Sequence, residues 1–442
     1  MACKVLVGMQ GRIDATRLFN GRLMLILSRS NCIRFLWDRQ LVSYHEGPLV
    51  KSDASLTEIV RAIKGHADSA PQSKPVGYAL LGWHVDDGTG LACDVNWCLN
   101  HDSNRVVKFL RGEIATIFAT TLTGWHGNKA LGFTLTLDDK LKTVSMSAPD
   151  SLEALYKLLF DGSEMTFTPK HIMTEAFADI KMAVAPELGD PERDTVLRRM
   201  EKTRRALGMG IYISHAYAHF VPPVNLSCAA IAMPDEDCTK HIRYSTAHLH
   251  ANPRCNTYGG WGVFGLEASP SRPMPFTDGC KDMAYHYFSD ASNNVRSITG
   301  GVGMLAGGPV QSSLQRQHLK APCAHTAEVV AGGNNVNSMI PVGGVLQEAH
   351  IRQGVPTPLY LDSRTTVLVA NDDAAAKKSV WLKRRIVVLQ DAVDLGEIVP
   401  VHVPESNMVA DIFTKYLKLV VWQRHIAYLL NDSTRAVADV KW

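Results

Sequence analysis

In the last third of the chain, short apolar runs are followed by stretches in which apolar residues recur every three or four positions. From 408 to 417, apolar residues recur every three or four positions, which indicates a helix. Elsewhere the apolar residues form short runs bounded by polar residues, glycine or proline, and runs of this kind favour strands. They lie at 285–288, 298–305, 318–323 (HLKAPC), 358–361 and 397–403. The pattern therefore predicts five strands with helices among them.

The first third contains a different pattern. An apolar run from 77 reaches Asp86 and Asp87, turns at Gly88 and returns as a second apolar run to 95. Two such runs around a short polar turn predict a β-hairpin with two adjacent aspartates at its tip. Adjacent acids are also common in ordinary turns, so this pair alone assigns no chemistry.

Composition is that of an ordinary globular protein. With 442 residues, 46% of them hydrophobic, the chain is expected to form about two to four domains. The net charge of +3 excludes a strongly basic nucleic-acid binder, and the odd number of nine cysteines argues against a disulfide framework. No apolar run reaches the ~20 residues of a membrane span, and the amino terminus lacks a leader-like core. We therefore expect an intracellular protein, in the cytoplasm or nucleus, with no signal peptide or transmembrane segment.

Four acidic residues in the last third have contexts that suit metal binding. Asp290 and Asp362 end strand-like runs, whereas Glu328 and Asp411 lie in helix-like stretches. Carboxylates at strand ends, faced by carboxylates from helices, can hold hard divalent cations such as Mg²⁺. Two such ions ~4 Å apart can clamp the attacking and leaving oxygens of a phosphodiester. Taken singly, each aspartate would more often be a turn, cap or solvated helix residue.

The segments around these acids resemble one family. They are FSDASNNVRSITGGVGMLAGGPVQSSLQRQ (288–317), HTAEVVA (325–331), LYLDSRTTVLVA (359–370) and EIVPVHVPESNMVADIFTKYL (397–417). Together they resemble the ribonuclease H domain of copia-type retrotransposon polyproteins, and the last is the closest match, down to Ala-Asp-Ile-x-Thr-Lys. The resemblance implies a ribonuclease H-like α/β fold, in which a mixed sheet of five strands is flanked by helices.

The resemblance also implies a site and a substrate. Asp290, Glu328, Asp362 and Asp411 would be the catalytic residues and the ligands of two Mg²⁺ ions, with Mn²⁺ as the alternative metal. The substrate would be an RNA–DNA hybrid, whose RNA strand the protein would cut as an endoribonuclease.

The helix implied after Glu328 has an unfavourable composition. Each interior glycine costs about 1 kcal/mol relative to alanine, and an interior proline about 3 kcal/mol. The stretch 331–344 holds Gly332, Gly333, Pro341, Gly343 and Gly344. We therefore expect this helix to be broken near Pro341.

A basic run precedes the last predicted strand. KKSVWLKRR (377–385) contains Lys377, Lys378, Lys383, Arg384 and Arg385. Apolar residues at helical spacing from Leu382 to Val393 predict a helix, with the last three basic residues largely on its other faces. A run of this kind is usually a solvated helix face. Beside a nuclease site it is equally a candidate for gripping the phosphate backbone.

The hairpin of the first third resembles the palm motif of reverse transcriptase, aromatic-Val-Asp-Asp, with His84 where that family usually has tyrosine. Asp86 and Asp87 would then be a polymerase remnant. Polymerase chemistry needs a third carboxylate from an upstream strand, and no acid before the hairpin has the family's sequence context for it. We therefore expect an incomplete reverse transcriptase, without polymerase activity from this chain alone.

The resemblances divide the chain into four parts. They are a partial α+β reverse-transcriptase palm at 1–165, a connection region and linker at 166–280, the ribonuclease H-like domain at 281–421 and a tail at 422–442. Three functions stay open: a Mg²⁺-dependent ribonuclease H, a non-catalytic nucleic-acid-binding retroelement remnant, and a reverse transcriptase completed by another part of the Pol polyprotein. The four acids favour the first, and the missing carboxylate counts against the third.

Overall fold

The computed structural model describes the chain in stretches that form two compact units. The described residues are 32–34, 41–45, 78–84, 87–93, 109, 128–138, 143–160, 169–175, 182–184, 187, 189–259, 285–293, 297–318, 321–348, 356–372 and 382–431. One unit comprises 1–131 and 340–355, and the other comprises 132–339 and 356–442. The second unit therefore takes in most of both the predicted connection region and the predicted ribonuclease H-like domain.

The first unit contains an antiparallel sheet. Its strands pair in chain order as β1 (Cys32–Arg34), β2 (Leu41–His45), β3 (Tyr78–His84) and β4 (Asp87–Cys93). Strand β5 (Asn128–Ala130) also belongs to this unit. His84 pairs with Asp87, so the predicted hairpin is present, but Gly88 lies on β4, where it pairs with Trp83, and not in the turn. Asp86 lies outside the described residues, and for Asp87 the backbone alone is described.

The second unit opens with strands and helices that pack into one hydrophobic core. The strands β6 (Phe133–Asp138), β7 (Thr143–Ser147) and β8 (Asn256–Gly259) pair antiparallel in this order. The helices are α1 (Pro149–Phe160), α2 (Arg193–Ser214), α3 (Val221–Cys228) and α4 (Glu236–Ala251). Gly259 N donates to Ala306 O at 2.7 Å, which joins β8 to the hairpin of the sheet that follows.

A mixed five-stranded sheet forms the centre of the second unit. Its strands are β9 (His286–Ser292), β10 (Ile298–Leu305), β11 (Gly308–Arg316), β12 (Thr357–Leu361) and β13 (Ile398–His402). Their order is β11-β10-β9-β12-β13, with β9, β10 and β11 antiparallel and with β12 parallel to both β9 and β13. This confirms the predicted α/β architecture of a mixed sheet of five strands with flanking helices.

One of the five predicted strands was wrong. The described part of HLKAPC (318–323) contains no strand, and 308–316 forms β11 instead. Ala306 and Gly307 have φ values of 51° and 76°, a left-handed pair that folds β11 directly back on β10. Because β11 is an edge strand with polar side chains along much of its length, it lacks the apolar run by which the other strands were predicted.

Helix α5 (Ala324–Glu348) is continuous through Pro341, so the expected break is wrong. Two of its glycines lie where α7 (Lys383–Asp394) crosses closely. A Cβ at Gly333 would stand 3.3 Å from Arg385 O, and one at Gly332 would stand 3.4 Å from Leu389 Cδ2. The glycines therefore permit close packing of two helices, and this packing offsets their low helix propensity.

The remaining helices cover the end of the chain. They are α6 (Arg364–Asn371), α8 (Asp411–Thr414) and α9 (Leu419–Leu429). The helix predicted over 408–417 is therefore wrong for most of its length, because the chain is extended again at Lys415. Trp422, Ile426 and Leu429 of α9 are buried, so the start of the segment predicted as a tail packs into the core. Within the described stretches, no helix combines the length and the apolarity that crossing a bilayer requires.

A buried polar network lies between the sheet and α5. Asn335 Nδ2 donates to Ser289 Oγ at 2.8 Å and to Gly300 O at 3.0 Å, and Tyr287 OH donates to Asn335 Oδ1 at 3.4 Å. Gly301 faces this network, since a Cβ there would stand 2.6 Å from both Asn335 Oδ1 and Tyr287 OH. A glycine is therefore required on β10 to admit the network.

We predict that Gly301→Ala lowers the free energy of unfolding by about 1–3 kcal/mol, because the new methyl group forces two buried polar side chains apart. Gly208→Ala in α2 is the matched control, since a Cβ there meets nothing within 4 Å. It should raise the free energy of unfolding by up to ~1 kcal/mol through helix propensity. Urea unfolding of both variants tests this. Equal stability of the two would refute the role given to Gly301.

Candidate metal centre

Asp290 lies on β9, the central strand of the mixed sheet. Every residue of this strand is buried, and Asp290 is 0% exposed. It pairs with Gly300 on β10, where a Cβ would clash with Thr414 and Phe413. The absent side chain therefore lets α8 approach the strand directly beside Asp290.

Asp362 follows the last residue of β12. This strand runs parallel to β9, with Leu361 opposite Ser289, so the next residue of each strand is an aspartate. The strand does not continue past Asp362, because the next residue, Ser363, caps α6. The Oγ of Ser363 accepts a hydrogen bond from Thr366 N at 3.2 Å. The parallel register thus brings the carboxylates of Asp362 and Asp290 together.

Glu328 reaches the same place from the first turns of α5. Its Oε1 accepts a hydrogen bond from Ala291 N at 3.1 Å. The start of the helix is fixed to the sheet by Gln317, whose Nε2 donates to Ala327 O at 2.9 Å and to Thr299 Oγ1 at 3.1 Å. The carboxylate of Glu328 is therefore held at the edge of β9 by contacts on both sides of it.

The three acids form a group that could hold a metal ion. One oxygen from each of Asp290, Glu328 and Asp362 lies within 4.8 Å of the other two. Glu328 Oε2 is buried and has no hydrogen-bond partner, whereas Asp290 Oδ1, which accepts no hydrogen bond either, is 3.5 Å from the ammonium of Lys415. A buried carboxylate oxygen without a donor is costly unless a cation pairs with it. The three carboxylates and the unpartnered oxygen of Glu328 therefore fit a divalent cation.

Burial and mutual repulsion shift the protonation of the whole group. Burial first, and then the nearby Asp411, raise the pKa of Asp290 to about 7. Burial, followed by the charge of Asp290, raises the pKa of Glu328 well above its ordinary value. The same two causes also raise the pKa of Asp362. Without a cation, the folded protein therefore retains protons that these acids would lose in water.

Asp411 lies beside this triad and is linked to it by Lys415. Lys415 Nζ is 3.0 Å from Asp411 Oδ1 and 3.5 Å from Asp290 Oδ1. Thr414 Oγ1 donates a short hydrogen bond to Asp290 Oδ2. Burial opposes the charge of Lys415, but Asp290 and Asp411 raise its pKa above the ordinary value. The four predicted acids therefore lie close together. Three of them form the triad, and the fourth, Asp411, is paired with the ammonium of Lys415.

Thr414 and Lys415 contact the acids of this site, although no role was predicted for either of them. Both stand in the Ala-Asp-Ile-x-Thr-Lys motif that was matched as a whole. The available signal was the spacing, because a lysine four residues after an acid lies on the same side of a helical turn. Both contacts follow from this spacing. Lys415 N donates to Asp411 O at 3.0 Å, and the ammonium of Lys415 donates to the carboxylate of Asp411.

The predicted basic run is only partly described. Lys377 and Lys378 lie outside the described residues, as does the side chain of Arg384. Lys383 is exposed at the start of α7. Arg385 is half-buried, and its Nη1 donates to Asn334 Oδ1 at 2.9 Å. This guanidinium therefore joins α7 to α5, a structural contact that the sequence analysis did not foresee.

A cavity of about 380 Å³ is lined by Thr414 and Lys415, although none of the four acids lines it. Ser292 and, from α3, Pro222 and Leu226 also line it. Lys415 is about a third exposed. The lysine therefore contacts two of the buried carboxylates and also lines a space large enough for part of a substrate.

Comparison with known proteins adds no relative, since no family model, curated protein or solved structure matches the chain.

We predict that removing divalent cations makes the stability fall as pH rises. The pKa of Asp290 is about 7 in the folded protein and ~3.9 in an unfolded chain, so between these values the folded state binds more protons. The free energy of unfolding should then decrease from pH 4 to about pH 7, and Mg²⁺ should offset much of this decrease. Thermal unfolding in EDTA and in MgCl₂ measures it.

The control for this pH dependence is Asp290→Asn, which removes the titrating group while keeping its size. Its stability in EDTA should depend less on pH than that of the unmodified protein. If Mg²⁺ leaves the pH profile of the unmodified protein unchanged, the triad holds no cation.

Proposed function

We propose that this protein is a Mg²⁺-dependent ribonuclease H of copia-type retrotransposon origin, which cuts the RNA strand of an RNA–DNA hybrid. The observation that carries the proposal is the convergence of Asp290, Glu328 and Asp362, which are far apart in sequence. The mixed sheet and its flanking helices also agree with the architecture that the resemblance implies. Glu328 Oε2, which is buried without a hydrogen-bond partner, favours an ion-binding role over a merely structural one.

The donor set favours Mg²⁺. Within the part of the chain that the structure describes, the metal-binding group consists of carboxylates alone. Oxygen ligands suit Mg²⁺, and Mn²⁺ is the alternative because it accepts the same donors. A bound Mg²⁺ supplies Lewis-acid polarisation of the phosphate and a coordinated water of lowered pKa.

The residues of the chain itself orient and charge-balance the reacting groups. Ala291 N–H holds one oxygen of Glu328, which leaves the other for a ligand. Lys415 presents positive charge beside the cavity, where phosphate oxygens of a hybrid would lie. In the hydrolysis, one water forms a P–O bond to the phosphate, one P–O bond of the RNA strand breaks, and a proton passes to the leaving oxygen. Negative charge develops on the phosphate oxygens, where the ammonium would stabilise it.

Hybrid binding is assigned to the basic run, with unequal roles for its members. The exposed Lys383 is available to a phosphate, whereas the guanidinium of Arg385 is engaged by Asn334. Lys377, Lys378 and Arg384 stay predicted contacts to the phosphate backbone of the hybrid. Binding of this kind releases counterions and therefore weakens as salt rises.

The alternative function is a non-catalytic nucleic-acid-binding remnant of a retroelement. It would use the same basic run but would not need a metal centre, so a cleavage assay separates the two. We expect no polymerase activity, and Asp86 and Asp87 stay a predicted polymerase remnant. RNA–DNA hybrids would be met in the cytoplasm or nucleus, and other parts of the Pol polyprotein are candidate partners.

We predict that Asp362→Asn abolishes Mg²⁺-dependent hybrid cleavage while hybrid binding stays close to that of the unmodified chain. The change keeps size but removes one ligand charge, so the loss should exceed the ~100-fold typical of losing a supporting partner. Asp394→Asn, at an exposed acid of α7, is the matched control and should cleave normally. Cleavage of a labelled hybrid by Asp362→Asn at the normal rate would leave the binding remnant as the better function.

We predict that Lys383→Gln and Arg385→Gln have different consequences. Lys383→Gln should weaken hybrid binding and lower the salt dependence by about one counterion, with an unchanged melting temperature. Arg385→Gln should lower the melting temperature, because Asn334 loses a charged donor between two packed helices. Salt titrations of binding and thermal unfolding measure the two effects. The same effect on binding and stability in both variants would contradict the division of roles.

A further inference from the structure

Asp290 and Asp411 share one cation that the chain itself supplies. The ammonium of Lys415 is 3.0 Å from Asp411 Oδ1 and 3.5 Å from Asp290 Oδ1. The two carboxylates are 6% and 0% exposed, so water does not replace this contact. The other oxygen of Asp290 accepts from the Thr414 hydroxyl, which orients Oδ1 toward the lysine.

The ammonium contacts the two carboxylates that would hold a second divalent ion. In a two-ion site the ions lie ~4 Å apart and a carboxylate bridges them. Asp290 belongs to both groups here, since it is a member of the triad and also contacts Lys415. A second Mg²⁺ bound to Asp290 and Asp411 would have to approach their oxygens to ~2.1 Å, which brings it close to the ammonium. Because two cations repel each other strongly where burial weakens screening, the ammonium disfavours a second ion there.

The lysine is held in this place by its own backbone. Lys415 N donates to Asp411 O at 3.0 Å, so the residue closes a turn that begins at its ion-pair partner. About a third of the side chain is exposed, on the side of the cavity lined by Thr414 and Lys415. The ammonium can therefore contact the carboxylates and a ligand in the cavity at the same time.

We propose that Lys415 takes the place of the second metal ion, so that this chain binds one divalent cation, at Asp290, Glu328 and Asp362. This replaces the two ions expected from the sequence. The proposed number of bound ions, one, applies to the protein without nucleic acid. A further role of this ammonium rests on the proposed function: it would contact a phosphate of the hybrid in the cavity that Lys415 lines, as a positioning and charge-balancing group.

The test is a count of bound Mn²⁺ by electron paramagnetic resonance on the full chain without nucleic acid. The unmodified protein should bind one Mn²⁺. Lys415→Met keeps the length of the side chain, removes the charge and should bind two, the second through Asp290 and Asp411. Lys418→Met, at an exposed lysine three residues on, is the control and should bind one. Two ions on the unmodified protein, or one on a folded Lys415→Met, would overturn the proposal.

A second variant covers the case in which Lys415→Met does not fold. If Asp411 is no metal ligand, Asp411→Asn should still bind one Mn²⁺, with an affinity within about threefold of the unmodified protein. If Asp411 holds an ion, the count or the affinity falls and the proposal fails. Thermal unfolding in Mn²⁺ confirms that each variant is folded before its ions are counted.

Cleavage gives a separate measure that rests on the ribonuclease activity. With one bound ion the rate should depend on Mg²⁺ to the first order, and Lys415→Met should steepen this toward the second order while slowing cleavage. A count of one Mn²⁺ in a protein that does not cut hybrids would remove the proposed function and leave the role of Lys415 intact. Two ions in an active protein would do the reverse.

Discussion

The repulsion among buried carboxylates is the interaction on which the rest of the second unit depends. Asp290, Glu328 and Asp362 bring oxygens within 4.8 Å of one another where burial weakens screening by water. Such a group is stable only when protons, a metal ion or an ammonium offset the charge. The ammonium of Lys415 offsets part of the charge of Asp290. Glu328 Oε2 has no hydrogen-bond partner, so the triad can still take a cation.

The packing around the site serves to hold that group in place against its own repulsion. Gly300 lets α8 approach β9, and Gly332 and Gly333 let α7 pack closely on α5. Asn335 and Gln317 fix α5 to the sheet through buried hydrogen bonds. The glycines lower helix propensity, and the buried polar side chains are costly to bury unless they are hydrogen-bonded. Their common effect is to place Glu328 and Asp411 on the two sides of one aspartate.

Local pattern was enough to predict the strands that carry the acids, because an apolar run precedes both Asp290 and Asp362. Only Asp362 lies at a strand end, however, since β9 continues past Asp290 to Ser292. It failed for β11, an edge strand whose pairing is set by a left-handed turn and not by apolar side chains. It also failed for α5, where glycine and proline were weighed without the helix that packs on them. The contacts of Lys415 and Arg385 depend on tertiary geometry, although the spacing from Asp411 to Lys415 was visible in the sequence.

The cost of the acid cluster is itself an argument for function. Replacing Asp290 by a neutral residue of similar size would remove repulsion and desolvation from the centre of the sheet, which ordinarily stabilises a fold. A chain that kept only its nucleic-acid-binding surface would gain from such a change and lose nothing. Here the triad, the fourth acid and the lysine that contacts both Asp290 and Asp411 are all present, and Glu328 Oε2 is left without a hydrogen-bond donor. That combination favours a centre that binds a cation to do chemistry over a remnant that merely holds a nucleic acid.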